Sequence, residues 1–311
     1  MALNKEIWQT TIVENLYADN SFAAKSVDDS SFVDNHKVHI PNAGSPSNVE
    51  VNRSSVPATA KKRTDNDLEY TMDELTTDPV YIPNIEMVEL SYDKRNSVIA
   101  NDRAIIMDKA HVNLLERWGG GVNTTKSVLM TTGTGTREAH TSDTATGQRK
   151  KITKADVLSI MTQMDKDNIP EAGRYLLLDA YMYADLLEDL SESDKWMFQN
   201  SADVQRGVLG NLYGFDIMKR STVLRINASS KAIIKWSAAG DAGELAAALA
   251  WQEQSVSRAL GEVHMFDSTD NPLYYGDIYS FLLRTGGAVR RYDKKGVYLL
   301  AEAASQSKGR R

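Results

Sequence analysis

Residues 97 to 118, SVIANDRAIIMDKAHVNLLERW, contain no proline or glycine, and Val98, Ile105, Met107, Val112, Leu115 and Trp118 largely follow helical spacing. The pattern predicts one helix about 33 Å long, stopped by Gly119, Gly120 and Gly121. After it comes a stretch rich in Thr and Gly that reads as mobile loop as far as Lys150, with one short strand over 127–131. A second helical pattern begins at Thr153, which forms a capping pair with Asp156 ahead of Val157, Ile160, Met161 and Met164. RYLLLD at 174–179 predicts an apolar strand, and Asp179 stands where it can cap a helix over AYMYADLLEDL. Further strands are predicted over 215–218, 222–226, 232–236 and 246–251. The closing YSFLLRTGGAVRRYDKKGVYLLAEA gives three β-prone runs, broken by Gly286 with Gly287 and by the turn DKKG at 293–296.

The first part of the chain has a different texture. Residues 4–25 carry Ile7, Ile12, Leu16 and Phe22 among polar positions, with Trp8 and Tyr17, which suits a short amphipathic helix or arm. From 37 to 84, Pro41, Pro46, Pro57, Pro79 and Pro83 punctuate the alternating runs KVHI, NVEVN and DLEYTMDEL, an extended ribbon. An isolated two-stranded ribbon is marginal in water, so this one is expected to lie against something else. Within it Lys61, Lys62 and Arg63 precede Asp65, Asp67, Glu69, Asp73 and Glu74. These charges form either a solvated surface or a set that pairs with a neighbouring chain and fixes its register.

Composition narrows the classes. With 311 residues, 41% of them hydrophobic and 25% charged, the chain can bury the core of one large or two medium domains. Its first 20 residues have neither a basic leader nor an unbroken apolar stretch, and no apolar run approaches the roughly 20 residues of a spanning helix, so neither standard secretion nor membrane insertion is expected. Cysteine is absent, which excludes disulfides, thiolate metal sites and cysteine nucleophiles. A formal charge of -6 disfavours indiscriminate binding to phosphates.

Candidate chemistry is sparse. Gly120, followed after four residues by Thr125, Lys126 and Ser127, imitates a phosphate-binding loop, but Thr125 stands where glycine is needed, and a predicted helix precedes the loop while a strand follows. Gly133 and Gly135 begin a dinucleotide-like pattern that Glu138 ends. His36, His39, His111, His140 and His264 include no pair at helical metal-ligand spacing, and no Gly-x-Ser-x-Gly elbow occurs. Lys308, Gly309, Arg310 and Arg311 read as a solubilising tail. Gly207, Gly210 and Gly214 precede a strand-like segment without the lysine and helix of a phosphate loop, so they read as turn residues permitting positive φ.

In order along the chain, these features resemble the major capsid proteins of tailed bacteriophages, whose fold is named after phage HK97. NKEIWQTTIVENLYADNSF is similar to the family's N-terminal arm, and the stretch from VHIPNAG to VYIPN to its extended E-loop; capsid proteins of phages infecting Bacteroidetes are especially similar here. ITKADVLSIMTQMDKDNIPEAGRYLLLDAYMYADLL followed by GVLGNLYGFDIMKRS resembles the axial domain, and GDIYSFLLRTGGAVRR a returning peripheral strand.

The resemblance implies an α+β, HK97-like fold. It divides the chain into an arm (1–36), an E-loop ribbon (37–84), a spine helix with part of the peripheral domain and the Gly/Thr-rich loop (85–150), an axial domain (151–252), and a returning peripheral strand with C-terminal axial strands (253–311). It implies a non-enzymatic virion protein, assembled in the host cytoplasm as hexamers and pentamers around double-stranded DNA that it does not read by sequence. A separate scaffolding protein, a portal and decoration proteins are the other implied partners; no cofactor, metal or membrane is implied. Lys61, Lys62, Arg63, Asp65, Asp67 and Glu69 become candidate intersubunit contacts. No motif singles out an acceptor for the lysine–asparagine crosslinks of some members, so that chemistry is not carried over. The competing readings are an encapsulin-like compartment shell and a nucleotide-binding enzyme using Lys126 and Ser127.

Overall fold

The computed structural model describes residues 18–33, 36–44, 47–54, 57, 60, 62–84, 94–203, 207–261 and 263–305. The first strands are β1 (Val27–Asp28), β2 (Lys37–Asn42), β3 (Asn66–Thr71), β4 (Asp73–Thr76) and β5 (Val80–Pro83), followed by helix α1 (Lys94–Gly120). Next come β6 (Val128–Met130), β7 (Thr136–Glu138), β8 (Gln148–Lys150), α2 (Lys154–Lys166), β9 (Arg174–Leu178), α3 (Ala180–Asp189) and α4 (Glu192–Asn200). The later strands are β10 (Gly210–Leu212), β11 (Phe215–Lys219), β12 (Leu224–Ile226), β13 (Ile233–Ile234), β14 (Leu245–Gln252), β15 (Val256–Leu260), β16 (His264–Asn271), β17 (Gly276–Val289) and β18 (Val297–Ala301). The architecture is α+β.

Two sheets organise the chain. In a six-stranded sheet, β17 pairs with β15 and β16 along one edge and with β4 and β5 along the other, and β1 extends it beyond β15. Helix α1 lies on this sheet, where Ile106 and Ala110 pack with Phe281 and Leu283. In an eight-stranded sheet, β14 lies between β18 on one side and β9 with β12 on the other. Period-two alternation sends Leu245, Ala247, Leu249 and Trp251 toward Trp118 and the end of α1, and Ala248 and Ala250 toward the layer of α2 and α3. Both faces of β14 are thus buried, which is why it reads as a continuous apolar run.

The local signals act as their chemistry predicts. Asp156 Oδ2 accepts from Thr153 N and Oγ1, both at 2.9 Å, at the start of α2. Asp179 Oδ1 accepts from Met182 N at 2.6 Å, capping α3.

Tertiary contacts override other expectations. Helix α1 does not stop before the glycines but runs through Gly119 and Gly120, and a Cβ at Gly119 would stand 2.8 Å from Leu224 Cδ1. Gly286 and Gly287 do not break the last sheet strand, because β17 passes through both. Gly287 is instead where strand and helix touch: a Cβ there would meet Leu114 Cδ1 at 2.3 Å and Ser257 O at 2.7 Å. The Gly/Thr-rich loop contains the β7–β8 hairpin, which Arg137 ties to α3 through Asp185 at 2.6 Å. Helix α4 and strand β16 have no counterpart in the sequence reading.

Candidate intersubunit surface

The ribbon is β2 paired antiparallel with β3. Its inner face carries Val38, Ile40 and Tyr70, buried against Ala259 and Ala288 of the six-stranded sheet. The root of the ribbon therefore finds its covering surface within its own chain, and burial pushes the Tyr70 hydroxyl up to about 12.

Arg117 of α1 holds the point where the chain leaves the ribbon for the sheet. Its Nη1 donates to Thr71 O at 2.9 Å and its Nε to Asp73 Oδ2 at 3.0 Å, and Asn113 Nδ2 donates to the same carboxylate oxygen at 3.0 Å. Partial burial opposes the charge on Asp73, but these donors prevail and hold its carboxyl below the ordinary range. On the other strand, Asn42 Nδ2 donates to Arg290 O at 3.0 Å.

The outer face is charged and answers itself. Lys37 meets Glu69 at 3.1 Å, His39 meets Asp67 at 2.9 Å, and Arg63 meets Asp65 at 2.6 Å. Asp65 also accepts from Gly44 N at 2.8 Å, and the Arg63 hydrogen bond, followed by that of Gly44, holds its carboxyl low. Lys62 is exposed, and Lys61 lies outside the described residues. In a single chain Arg63, Asp65, Asp67 and Glu69 are thus paired within the ribbon, where exposed pairs add little stability.

Beyond this root, residues 47–54 are exposed. NVEVN, which the alternation predicts as strand, has no strand hydrogen bonds, and Val49 and Val51 are each 87% exposed. Alternation alone does not make a strand without a neighbour to bond it. Another exposed apolar surface, which the sequence reading did not single out, is the β16–β17 hairpin with Phe266, Leu273, Tyr274 and Tyr275. Tyr81 donates its hydroxyl hydrogen to Tyr274 O there. The aromatic-rich NPLYYG turn was the available signal.

The remaining candidates fall elsewhere. Gly207 and Gly214 have φ of +72° and +78°, and Tyr213 at +50° completes with Gly214 the two-residue turn from β10 to β11. Gly210 differs: it lies in β10 without positive φ, and a Cβ there would sit 2.6 Å from Phe198 O, so it makes room for α4. Lys126 is exposed and Ser127 buried, in a turn that leads from a helix into β6, whereas a phosphate loop needs a helix to follow. Among the described residues, no group of three or more His, Cys, Asp or Glu is placed to hold a metal ion, and no helix is long and apolar enough to cross a membrane.

No protein-family profile and no curated protein matches the sequence. Solved structures are similar over nearly the whole chain. The capsid of cyanophage P-SCSP1u is 16% identical with a TM-score of 0.67, covering 97% of this chain and 94% of that one. The capsid of Ralstonia phage GP4 is 12% identical with a TM-score of 0.67, covering 99% and 97%. A chain of Mycobacterium phage Che8 is 18% identical with a TM-score of 0.64, covering 96% and 98%. The fold of this chain is the HK97-like capsid fold.

Proposed function

We propose that this chain is the major capsid protein of a tailed bacteriophage, a structural protein that assembles with copies of itself into the hexamers and pentamers of an icosahedral head around double-stranded DNA. The observation that carries the reading is a likeness to phage capsid chains that runs over nearly the whole of both chains. The ribbon adds to it: its root is fixed by apolar burial and by Arg117, while its tip presents Val49 and Val51 to solvent, an arrangement suited to reaching a neighbour.

In this reading residues 1–36 are the arm, the β2–β3 ribbon with its tip is the E-loop, and α1 is the spine helix. The six-stranded sheet with α1 is the peripheral domain, and the eight-stranded sheet with α2 to α4 is the axial domain. A scaffolding protein, a portal and decoration proteins are the remaining partners, and assembly takes place in the host cytoplasm.

The test is negative-stain imaging of the protein expressed alone or with a scaffold from the same genome. Closed particles tens of nanometres across are expected, and native particles should protect DNA from nuclease. A chain that stays monomeric under every scaffold condition overturns the reading, and native particles holding an enzyme cargo in place of DNA replace it with a compartment shell.

A further inference from the structure

We infer that two segments left unpartnered in a single copy meet between copies: the ribbon tip around Val49 and Val51 adds as a strand to the open edge of β16 in the neighbouring subunit. The inference rests on the shell reading above and names the surface through which the ribbon engages its neighbour.

The acceptor is a strand edge. Among the described residues, β16 is hydrogen-bonded to β17 alone, so its other backbone edge is open. Such edges template pairing with another chain unless lysine, proline or a bulge blunts them. Here the irregularity lies between Ser268 and Asn271, and the preceding HMFDS contains neither lysine nor proline. Phe266 of that stretch is 57% exposed.

The donor is the tip. Val49 and Val51 lie two residues apart, as on one face of a strand, yet the segment forms no ladder in its own chain. Because donor and acceptor are both exposed, they do not cover each other within one copy. Main-chain pairing would satisfy the groups that β16 leaves open, and the two valines would cover Phe266.

Charge favours the same match. Residues 43–65 carry four cations, Arg53, Lys61, Lys62 and Arg63, against Glu50 and Asp65, whereas residues 264–277 carry three carboxylates and no lysine or arginine. Opposite signs steer the encounter and disfavour tip-to-tip pairing. Donor and acceptor are different surfaces, so the contact is head to tail, the kind that closes into rings.

The chain has no cysteine, so introduced pairs report the contact without background. Val51→Cys is combined in turn with His264→Cys, Phe266→Cys and Ser268→Cys to scan the register, since a disulfide forms only where Cβ atoms come within about 4 Å. Val51→Cys with Trp196→Cys, on exposed α4, is the control. Oxidised particles of at least one register pair are expected to give a ladder of covalent oligomers on non-reducing gels, with the control remaining monomeric. Particles that form but give no ladder with any of the three pairs overturn this inference and leave the shell reading standing; a parent chain that forms no particles overturns both. Independently, Val49→Asp with Val51→Asp should leave the thermal melt of the free chain unchanged and reduce particle yield at least tenfold. Assembly of that variant at parental yield overturns the inference.

Discussion

Phe22 lies with its ring centre 5.9 Å from that of Trp118 and 6.5 Å from that of Trp251, edge-on to both, and is fully buried. The described end of the predicted arm, Ser21–Ala24, thus contributes a core residue, because it lies at the junction of α1 with the eight-stranded sheet. Phe22→Ala is expected to cost about 3–5 kcal/mol, read from the shift in denaturant midpoint. Glycines at this scale divide by what surrounds them. Gly287→Ala drives a methyl group into Leu114 and Ser257 O and should destabilise by about 1–3 kcal/mol. Gly120→Ala has no neighbour within 4 Å and no positive φ, so a gain of up to about 1 kcal/mol is expected. Paired thermal melts check both.

At the scale of elements, the decisive unit is the ribbon root, where β3 ends, β4 begins, and the chain passes from hairpin to sheet at Met72. Arg117 fixes that exit through Thr71 O and Asp73. The Asp73 carboxyl is depressed below its ordinary value, so the unfolded chain binds the proton more readily. Its stabilisation is complete above the ordinary carboxylate range and is lost as pH falls through the lower folded value. Urea midpoints of the parent and of Asp73→Asn should therefore differ most near neutral pH and converge in acid. A difference that stays constant down to about pH 2 contradicts the assignment, because Asp73 would then contribute no protonation-dependent term.

For the whole molecule, the ribbon tip is the part whose environment assembly should change. Lys62 and Arg63 are exposed in the single chain, so trypsin is expected to cut there in the unassembled protein. In closed particles the same bonds should be protected by at least tenfold in cleavage rate, measured by mass spectrometry of the fragments. Equal cleavage in both forms would mean that the tip is not covered by a neighbour. Charge steers the encounter, whereas the assembled contact is apolar and main-chain, so protection is expected to persist in moderate salt.

The amino-acid sequence by itself determined what depends on near neighbours. The spacing of apolar residues made α1 and β9 recognisable, and Thr153, Asp156 and Asp179 marked helix starts, because periodicity and capping act within a turn or two of chain. The ribbon was recognisable by its prolines and alternation as far as Thr71, but Asp73–Thr76 and Val80–Pro83, expected to belong to it, pair with β17 in the six-stranded sheet instead. Only the tertiary structure decided which runs become strands and which glycines are turns. NVEVN has the pattern of a strand but no partner, β17 continues through Gly286 and Gly287, and Gly210 yields space to Phe198. The open edge of β16 was likewise invisible, since an edge strand and an interior one differ in what lies beside them. Trp118 illustrates the physical reason: its Nε1 donates to Ser257 O across 139 positions of chain at 2.8 Å, and no local pattern records a contact made at that distance along the sequence.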